Sequence, residues 1–374
     1  MKFSDIIGHK EEIRRLREMA DSGKLPHALL LHGPSGIGKF TTALAFVQYL
    51  GCTSRRNGDS CGVCPACRQA SELSNPDVHF VYPVTKKRSP KPLSTDFAEE
   101  WRAFLGDHPY MPEEEWLKKL DAGNSRPLIY VTESAEILRL SSLSAYGSGY
   151  KIFVVWLPEK MNAEAANKLL KVIEEPHSDT LFIFVSNNPA EIIPTIKSRL
   201  QGIEFKKLSD AEIAAYLEGE GVDPDAAEDL ARIAKGDINK ASAFTSHDGE
   251  FAEFAGLFIE VMRAAYARVM PELRRLSDAF ASFGREKSLR LLDYFGRMLR
   301  ESFISNLHQE RLLAMSAQER SFVAKFGPFI NNLNIENLSK EVAKAHEDIS
   351  RNANQKIVWF DLFIQLSRLI RKPV

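Results

Sequence analysis

Three runs, "ALLLH", "KIFVVWL" and "TLFIFVS", are apolar almost throughout, with no alternation. A strand with one wet face alternates apolar and polar residues. A strand apolar on both sides must be covered on both faces, as in parallel sheets whose crossovers are helices. The segments between these runs have helical spacing. "FTTALAFVQYLG" reads as a helix with Gly51 at its end, and "TESAEILRLSSLSAYGSG" as another that ends in glycines. "NAEAANKLLKVIEEP" is a third. Asn162 is its N-cap, Ala166, Leu169, Leu170 and Ile173 form its apolar stripe, and Pro176 lies just beyond its end. "DVHFVYPV", "PLIYV" and "GIEFKKL" read as further strands, and "AEIIPTIKSRLQ" as a short helix. The sequence therefore predicts an α/β domain with a parallel sheet flanked by helices.

Residues 83–127 interrupt this alternation. "PVTKKRSPKPLSTDF" is rich in proline and charge and suits an exposed loop. "DFAEEWRAFLG" and "PEEEWLKKLDAG" read as two short helices, so the stretch is an insertion in a β/α framework. From Ser209 onward the pattern is helical only. Ser209 and Glu212 form a capping box, and "DPDAAEDLARIAKG" and "DINKASAFTS" continue as helices. "FAEFAGLFIEVM" places Phe251, Phe254, Phe258 and Val261 on one face, and "KIVWFDLFIQLSRLI" is hydrophobic on most sides, as in a buried bundle helix. The expected domains are 1–207, 208–247 and 248–374, a plausible count for 374 residues.

Between the first strand and helix lies "GPSGIGKF". Gly33, Gly36, Gly38 and Lys39 match a phosphate-binding loop, whose backbone N–H groups and following helix N-terminus suit an anion. Phe40 breaks the pattern, because a hydroxyl that holds Mg2+ belongs there. Thr41 is next door, but one helical position turns it by roughly 100°. The loop either binds ATP or ADP weakly or persists because its turn suits the fold. Mg2+ is not expected.

All four cysteines lie within residues 52–67 as Cys52, Cys61, Cys64 and Cys67. The last three form C-x2-C-x2-C, a spacing that turns thiolates onto one tetrahedral ion. The reading is a structural Zn2+ site, since four thiolates leave no open position. It serves as a fold staple or a docking surface. A net charge of -1 argues against a free-standing nucleic-acid binder with a broad basic face. No run reaches the roughly 20 apolar residues of a membrane span, and the N-terminus lacks a signal-peptide core, so a cytoplasmic protein is expected.

Taken together, these pieces resemble the AAA+ subunits of bacterial replicative clamp loaders. The likeness rests on "FSDIIGHKEEI", "HALLLHGPSGIGK", the cysteine module straight after the loop's helix, "NKLLKVIEEP", "PTIKSRLQ" and "RNANQK". It covers the chain apart from residues 83–127. The resemblance implies a nucleotide-type α/β domain, a three-helix lid and a helical collar that joins subunits in a pentameric ring. It implies gamma/tau and delta subunits, a sliding clamp and, through the assembly, primer–template DNA as partners. Hydrolysing members carry an acidic pair at the end of the strand "YKIFVV", where this chain has Trp156 and Leu157, with Glu159 two residues on. The polar sensor survives as Ser186 and Asn187. Arg199 matches the arginine finger that acts on a neighbouring subunit's nucleotide, with a plain surface arginine as the alternative. Lys240 stands where the second sensor is usually Arg. The implied role is a non-hydrolysing ring subunit. The rivals are a motor subunit using Thr41 and Glu159, and a zinc-ribbon nucleic-acid binder, for which Arg55, Arg56, Arg68 and the Lys86–Lys91 patch are the available cations.

Overall fold

The computed structural model describes residues 1–120, 126–147, 149–177, 179–246, 250–307 and 313–370, with the side chains of 243–246, 250–252 and 317 outside the description. The chain forms two compact units. The first comprises residues 1–216 and 235–240, and the second 217–234 and 241–374.

In the first unit the chain runs through α1 (Lys10–Asp21), β1 (Ala28–His32), α2 (Lys39–Gly51), α3 (Pro65–Ser71) and β2 (Val78–Val81). It continues with α4 (Ala98–Asp107), α5 (Glu113–Lys119), α6 (Val131–Ser141), β3 (Lys151–Trp156), α7 (Ala163–Glu174) and β4 (Thr180–Ser186). α8 (Pro194–Lys197), β5 (Gln201–Glu204) and the start of α9 (Asp210–Gly219) complete it. The strands form one sheet in the order β2-β3-β4-β1-β5. Every pairing is parallel, with Leu30 opposite Phe184 and Leu31 opposite Ile203.

The unbroken apolar runs have the cause inferred from them. Ala28, Leu30, Phe153, Val155, Phe182 and Phe184 pack on one face with Ile137 of α6 and Ala166, Leu169 and Ile173 of α7. The residues of opposite parity, Leu29, Leu31, Val154, Trp156, Ile183 and Val185, are buried on the other face. The Asn162 side chain caps α7 by accepting from the Ala165 N–H at 2.8 Å. Ser209 and Glu212 make the expected capping box, and the Glu212 carboxylate also accepts from the Ser209 hydroxyl at 2.8 Å.

One expected strand is absent. In "PLIYV", Leu128 and Ile129 make only isolated bridges to Val84 and Met161, and Val131 already begins α6. Ile129 alone is buried, in the core cluster with Val81, Phe153 and Val155 of the sheet, while Leu128 and Tyr130 are half-buried. The described residues of this stretch, 83–120 and 126–127, pack onto the sheet through their aromatics. Trp101, Phe104 and Trp116 are buried, and the Trp116 indole donates to the Pro83 carbonyl at 2.9 Å. The Lys86–Lys91 patch is loop, with Arg88 paired to Glu100.

The second unit takes in α10 (Pro224–Ala234), most of α11 (Ile238–Ser246), α12 (Glu250–Ala267), α13 (Met270–Phe280), α14 (Arg285–Ser305), α15 (Ala317–Phe326), α16 (Ile335–Ser350) and α17 (Gln355–Leu369). Phe254, Phe258 and Val261 line its core with Trp359, Phe363 and Leu366 of α17. The Phe251 side chain and the expected boundary at 247–248 lie outside the described residues. No helix among those residues is long and apolar enough to cross a membrane.

A buried polar network ties α14 to α15. Glu319, almost fully enclosed, accepts from the Tyr294 hydroxyl at 2.6 Å and pairs with Arg297. It also closes the capping box of α15, accepting from the Ser316 N–H at 2.8 Å. Removing one partner of such a pair leaves a buried charge alone and costs about 3–5 kcal/mol. Glu319→Ala is expected to accelerate amide hydrogen exchange in α14 and α15 by that equivalent. Arg14→Ala, on an exposed pair with Glu11 and Glu18, is expected to change exchange by less than about 1 kcal/mol.

Candidate functional site

The phosphate-type loop sits at the carboxyl end of β1, between its two sheet neighbours β4 and β5. Gly33 has no room for a side chain, since a Cβ there would overlap the Phe205 carbonyl. Gly36 and Gly38 adopt left-handed conformations with φ of 72° and 90°, which suit glycine, and Gly38 caps α2. The fold thus brings Gly33, Gly36, Gly38, Lys39 and Asn187 together. The Lys39 ammonium position is buried, and its Nζ donates to the Asn187 Oδ1 at 3.0 Å and to the Pro34 carbonyl.

Other parts of the same unit close over this loop. Ile238 donates its N–H to the Gly36 carbonyl at 2.9 Å, and a Cβ on Gly36 would overlap the Asp237 carboxylate. The Asn239 amide donates to the Tyr110 carbonyl at 3.1 Å, and the Tyr110 ring faces Gly38. Thr41 donates its hydroxyl to the Pro109 carbonyl at 2.6 Å. A ring nitrogen of His9 lies 2.7 Å from the Ile37 carbonyl. A carboxylate against the glycine loop opposes a second anion by simple repulsion.

Phe40, at the position where the loop pattern has a hydroxyl, lies among rings. Phe40 packs against Phe80, Trp101 and Trp156 at centroid distances of 6.3, 5.6 and 6.5 Å. Trp101 stacks on Tyr82 at 3.8 Å and meets Trp116 edge-on at 5.1 Å. Leu157 is buried with φ of 57°, a conformation rarely adopted by a bulky residue. Glu159 faces the loop but is engaged, its Oε1 accepting from the Asn187 and Asn188 N–H groups at 2.9 and 3.1 Å. Ser186, fully buried, accepts from the Asn188 N–H at 3.1 Å.

Burial lowers the Lys39 amine to about 7, against the opposing pull of Glu159 and Asp237. A neutral amine has two N–H groups, matching its two acceptors. Burial also raises Glu159 and Asp237 above their ordinary ranges.

The remaining candidates lie apart from the loop's closed mouth or at its rim. Arg199 follows α8 and pairs with Glu174 at the end of α7, while its Nη1 donates to the Thr195 carbonyl at 2.6 Å. Lys240 is exposed, 4.0 Å from Asp237. The four cysteine sulfurs lie within 4.8 Å of one another. Cys61 and Cys67 sulfurs are 3.9 Å apart, and sulfurs about 2.3 Å from a tetrahedral ion would stand about 3.8 Å apart. The Cys61 N–H points at the Cys52 sulfur at 3.2 Å, and the Cys64 N–H at the Cys61 sulfur at 3.3 Å. Backbone N–H groups of Val63 and Cys64 hold the Cys61 thiol below its ordinary range. These four thiols could hold a metal ion, and the donor set fits zinc.

A family model described as DNA polymerase III, delta subunit, matches residues 8–209, more than half of the chain. The chain belongs to this family. Curated relatives agree. DNA polymerase III subunit delta' of Pseudomonas aeruginosa is 30% identical over 173 residues, 46% of this chain and 41% of that protein. Its namesake in Bacillus subtilis is 24% identical over 280 residues, 74% of this chain and 70% of that protein. DNA polymerase III subunit gamma/tau of Mycobacterium tuberculosis is 25% identical over 322 residues, 85% of this chain. The chain spans about half the length of that gamma/tau relative.

The sequence did not announce His9, Pro109, Tyr110 or Asp237 as parts of the loop's cover. The one available signal was the crowding of tryptophan into residues 83–127, since Trp101 and Trp116 join Trp156 in one cluster. The Lys39 reading is testable through pH. Below pH 7 both folded and unfolded chains bind its proton, and the burial penalty is fully present. Between about 7 and 10.5 the unfolded chain binds more protons, so stability at this site rises with pH. Lys39→Met is expected to raise stability most below pH 7 and to flatten that rise, as read from urea midpoints across the range. An unaltered pH slope would contradict it.

Proposed function

We propose that this chain is a non-hydrolysing, delta-prime-type subunit of a bacterial replicative clamp loader, acting in the cytoplasm with gamma/tau and delta subunits in a pentameric ring. Its part is to support loading of the sliding clamp onto primer–template DNA. In this reading residues 1–207 are the AAA+ domain, 208–247 the lid and 248–374 the collar that joins neighbours. The observation that carries it is the Phe40, Trp101 and Trp156 contact set in the place of a magnesium site. Phosphoryl transfer needs charge neutralised around the phosphates and a nucleophile positioned, and rings supply neither. The engaged states of Thr41 and Glu159 weigh against the motor-subunit alternative, because each already satisfies backbone groups.

Arg199 then serves a neighbour. Its guanidinium is partly exposed and held by Glu174, a surface pair worth about 0–1 kcal/mol. A neighbour's triphosphate, with more charge, can draw it away. Lys39, Asn187 and Lys240 retain a structural role in the closed loop. The Cys52, Cys61, Cys64 and Cys67 cluster holds a structural zinc that staples the end of α2 to α3.

The isolated chain is expected to show no Mg2+-dependent ATP hydrolysis. In the reconstituted complex Arg199→Ala is expected to lower turnover by at least about 10³, the lower end of known arginine-finger effects, while Glu174→Ala leaves it near wild type. Full turnover by the Arg199→Ala complex would sink the assignment. Metal analysis of the purified chain is expected to give about one zinc, and Cys64→Ser to lose it together with thermal stability.

A further inference from the structure

Away from the loop, the hairpin between Cys52 and Cys61 leans on the N-terminal segment and α1. Arg56 and Asp59 pair across a turn whose centre, Asn57 and Gly58, has φ of 53° and 73°. Between hairpin, N-terminus and α1 lies an open cleft of about 640 Å3 lined by Lys2, Lys10, Arg17 and Arg56. Asp59 is the one acid among the lining residues. Its carboxylate is already occupied, accepting from the N–H groups of Phe3, Ser4 and Ser60 at 3.1, 2.9 and 2.7 Å.

The four cations are not so occupied. None is in an ion pair among the described residues, whereas Arg14 on the same helix pairs with Glu11 and Glu18, and Arg55 on the same hairpin with Asp21. Lys10 acts on Glu212, and the Arg17 guanidinium also reaches the Tyr49 hydroxyl, which is neutral. Arg17 lies against the turn, where a Cβ on Gly58 would overlap its guanidinium, and its Nε is buried without a hydrogen-bond partner. Lys2 crosses Gly62 of the cysteine knuckle in the same way. Two of the four are thus fixed in place by glycines that leave room for them. Orienting unpaired cations costs side-chain entropy and mutual repulsion, which an anion would offset.

We propose that this cleft binds the phosphodiester backbone of duplex DNA. Four separate cations along an open cleft fit a chain of phosphates better than one compact anion. The only aromatic residue lining it, Phe3, is buried against Phe46 and Tyr49. Single-strand binders use exposed aromatics as stacking platforms, so this cleft contacts a strand whose bases are turned inward. The contact is made by this chain itself, beyond whatever the assembled ring supplies.

The test uses the full-length chain and fluorescence anisotropy with a labelled 20-base-pair duplex, about the length of two helical turns. Binding is expected in the range of about 10⁻⁶ to 10⁻⁴ M at physiological salt, typical of sequence-independent contacts. Lys10→Gln combined with Arg56→Gln, both exposed positions, is expected to weaken binding at least about fivefold and to reduce the salt slope by about 2. Arg14→Gln is expected to change neither. Unchanged affinity and slope in the double variant, or no binding by the wild type at low salt, would overturn the proposal. Equal or tighter binding of the matching single strand would overturn the duplex assignment, and stronger competition by polyglutamate than by DNA would point to an acidic protein instead. None of these outcomes bears on the Arg199 experiment, which reads turnover in the complex.

Discussion

The edge-on contact of Phe40 with Trp101 and its packing on Trp156 join the start of α2, the insertion and the end of β3. Much else depends on that junction. Magnesium demands oxygen ligands in a near-octahedral shell at about 2.0–2.1 Å, and a cluster of rings offers none. Aromatic pairs also add about 0.5–1.5 kcal/mol each beyond their buried area. Emptying the cluster to admit a hydrated cation would forfeit several such contacts and leave cavities costing about 3–5 kcal/mol per large ring. In the proposed reading, the lack of a magnesium site is thus a property of the hydrophobic core. A single restored hydroxyl at position 40 would face Trp101 and Trp156, with no carboxylate beside it.

The same junction explains the state of Lys39. Once the loop is covered by Tyr110 and by residues Asp237 to Asn239, the lysine is buried. Burial then drives it toward the neutral amine, and its N–H groups find Pro34 and Asn187. Glu159 follows the same logic from the acidic side, caught by two backbone N–H groups while burial raises it. Lys39, Thr41 and Glu159 Oε1 each have a protein partner, while Glu159 Oε2 is buried without one, so a ligand would have to displace most of a bonded network. Gly33 is still required by the approach of the Phe205 carbonyl, and Gly36 and Gly38 by their left-handed backbone.

The sheet, the helix caps at Asn162 and Ser209, and the buried character of α17 were legible because each rests on local chemistry: period, cap geometry, composition. The vacancy at positions 40 and 156 was legible for a similar reason, since neither side chain can ligate a cation. What filled it was not. Trp101, Tyr110 and Asp237 reach the site from segments roughly 60 to 200 residues away, with no periodic signal to mark the meeting. "PLIYV" failed as a strand because one residue, Ile129, reaches the core while the segment makes only isolated bridges, and an apolar run alone does not distinguish that from a paired strand. The cationic cleft was invisible for the opposite reason: Lys2, Lys10, Arg17 and Arg56 look like ordinary solvated charges until the hairpin brings them to one wall.

Under the proposed function, Arg199 would serve a neighbour's chemistry, and its surroundings are compatible with that role. Its segment is fixed by Pro194 at the start of α8 and by the Nη1 bond to the Thr195 carbonyl, so the guanidinium is presented near the surface by backbone that does not need the ion pair with Glu174. The pair keeps the side chain in a defined orientation while no neighbour is present. Because the pair is partly exposed, its net worth is small, and an incoming polyphosphate of higher charge wins the competition in an interface from which water is excluded. In the proposed reading the two features are complementary: a chain whose loop is covered by its own residues would not alternate with a bound nucleotide, and would offer a neighbour a constant surface.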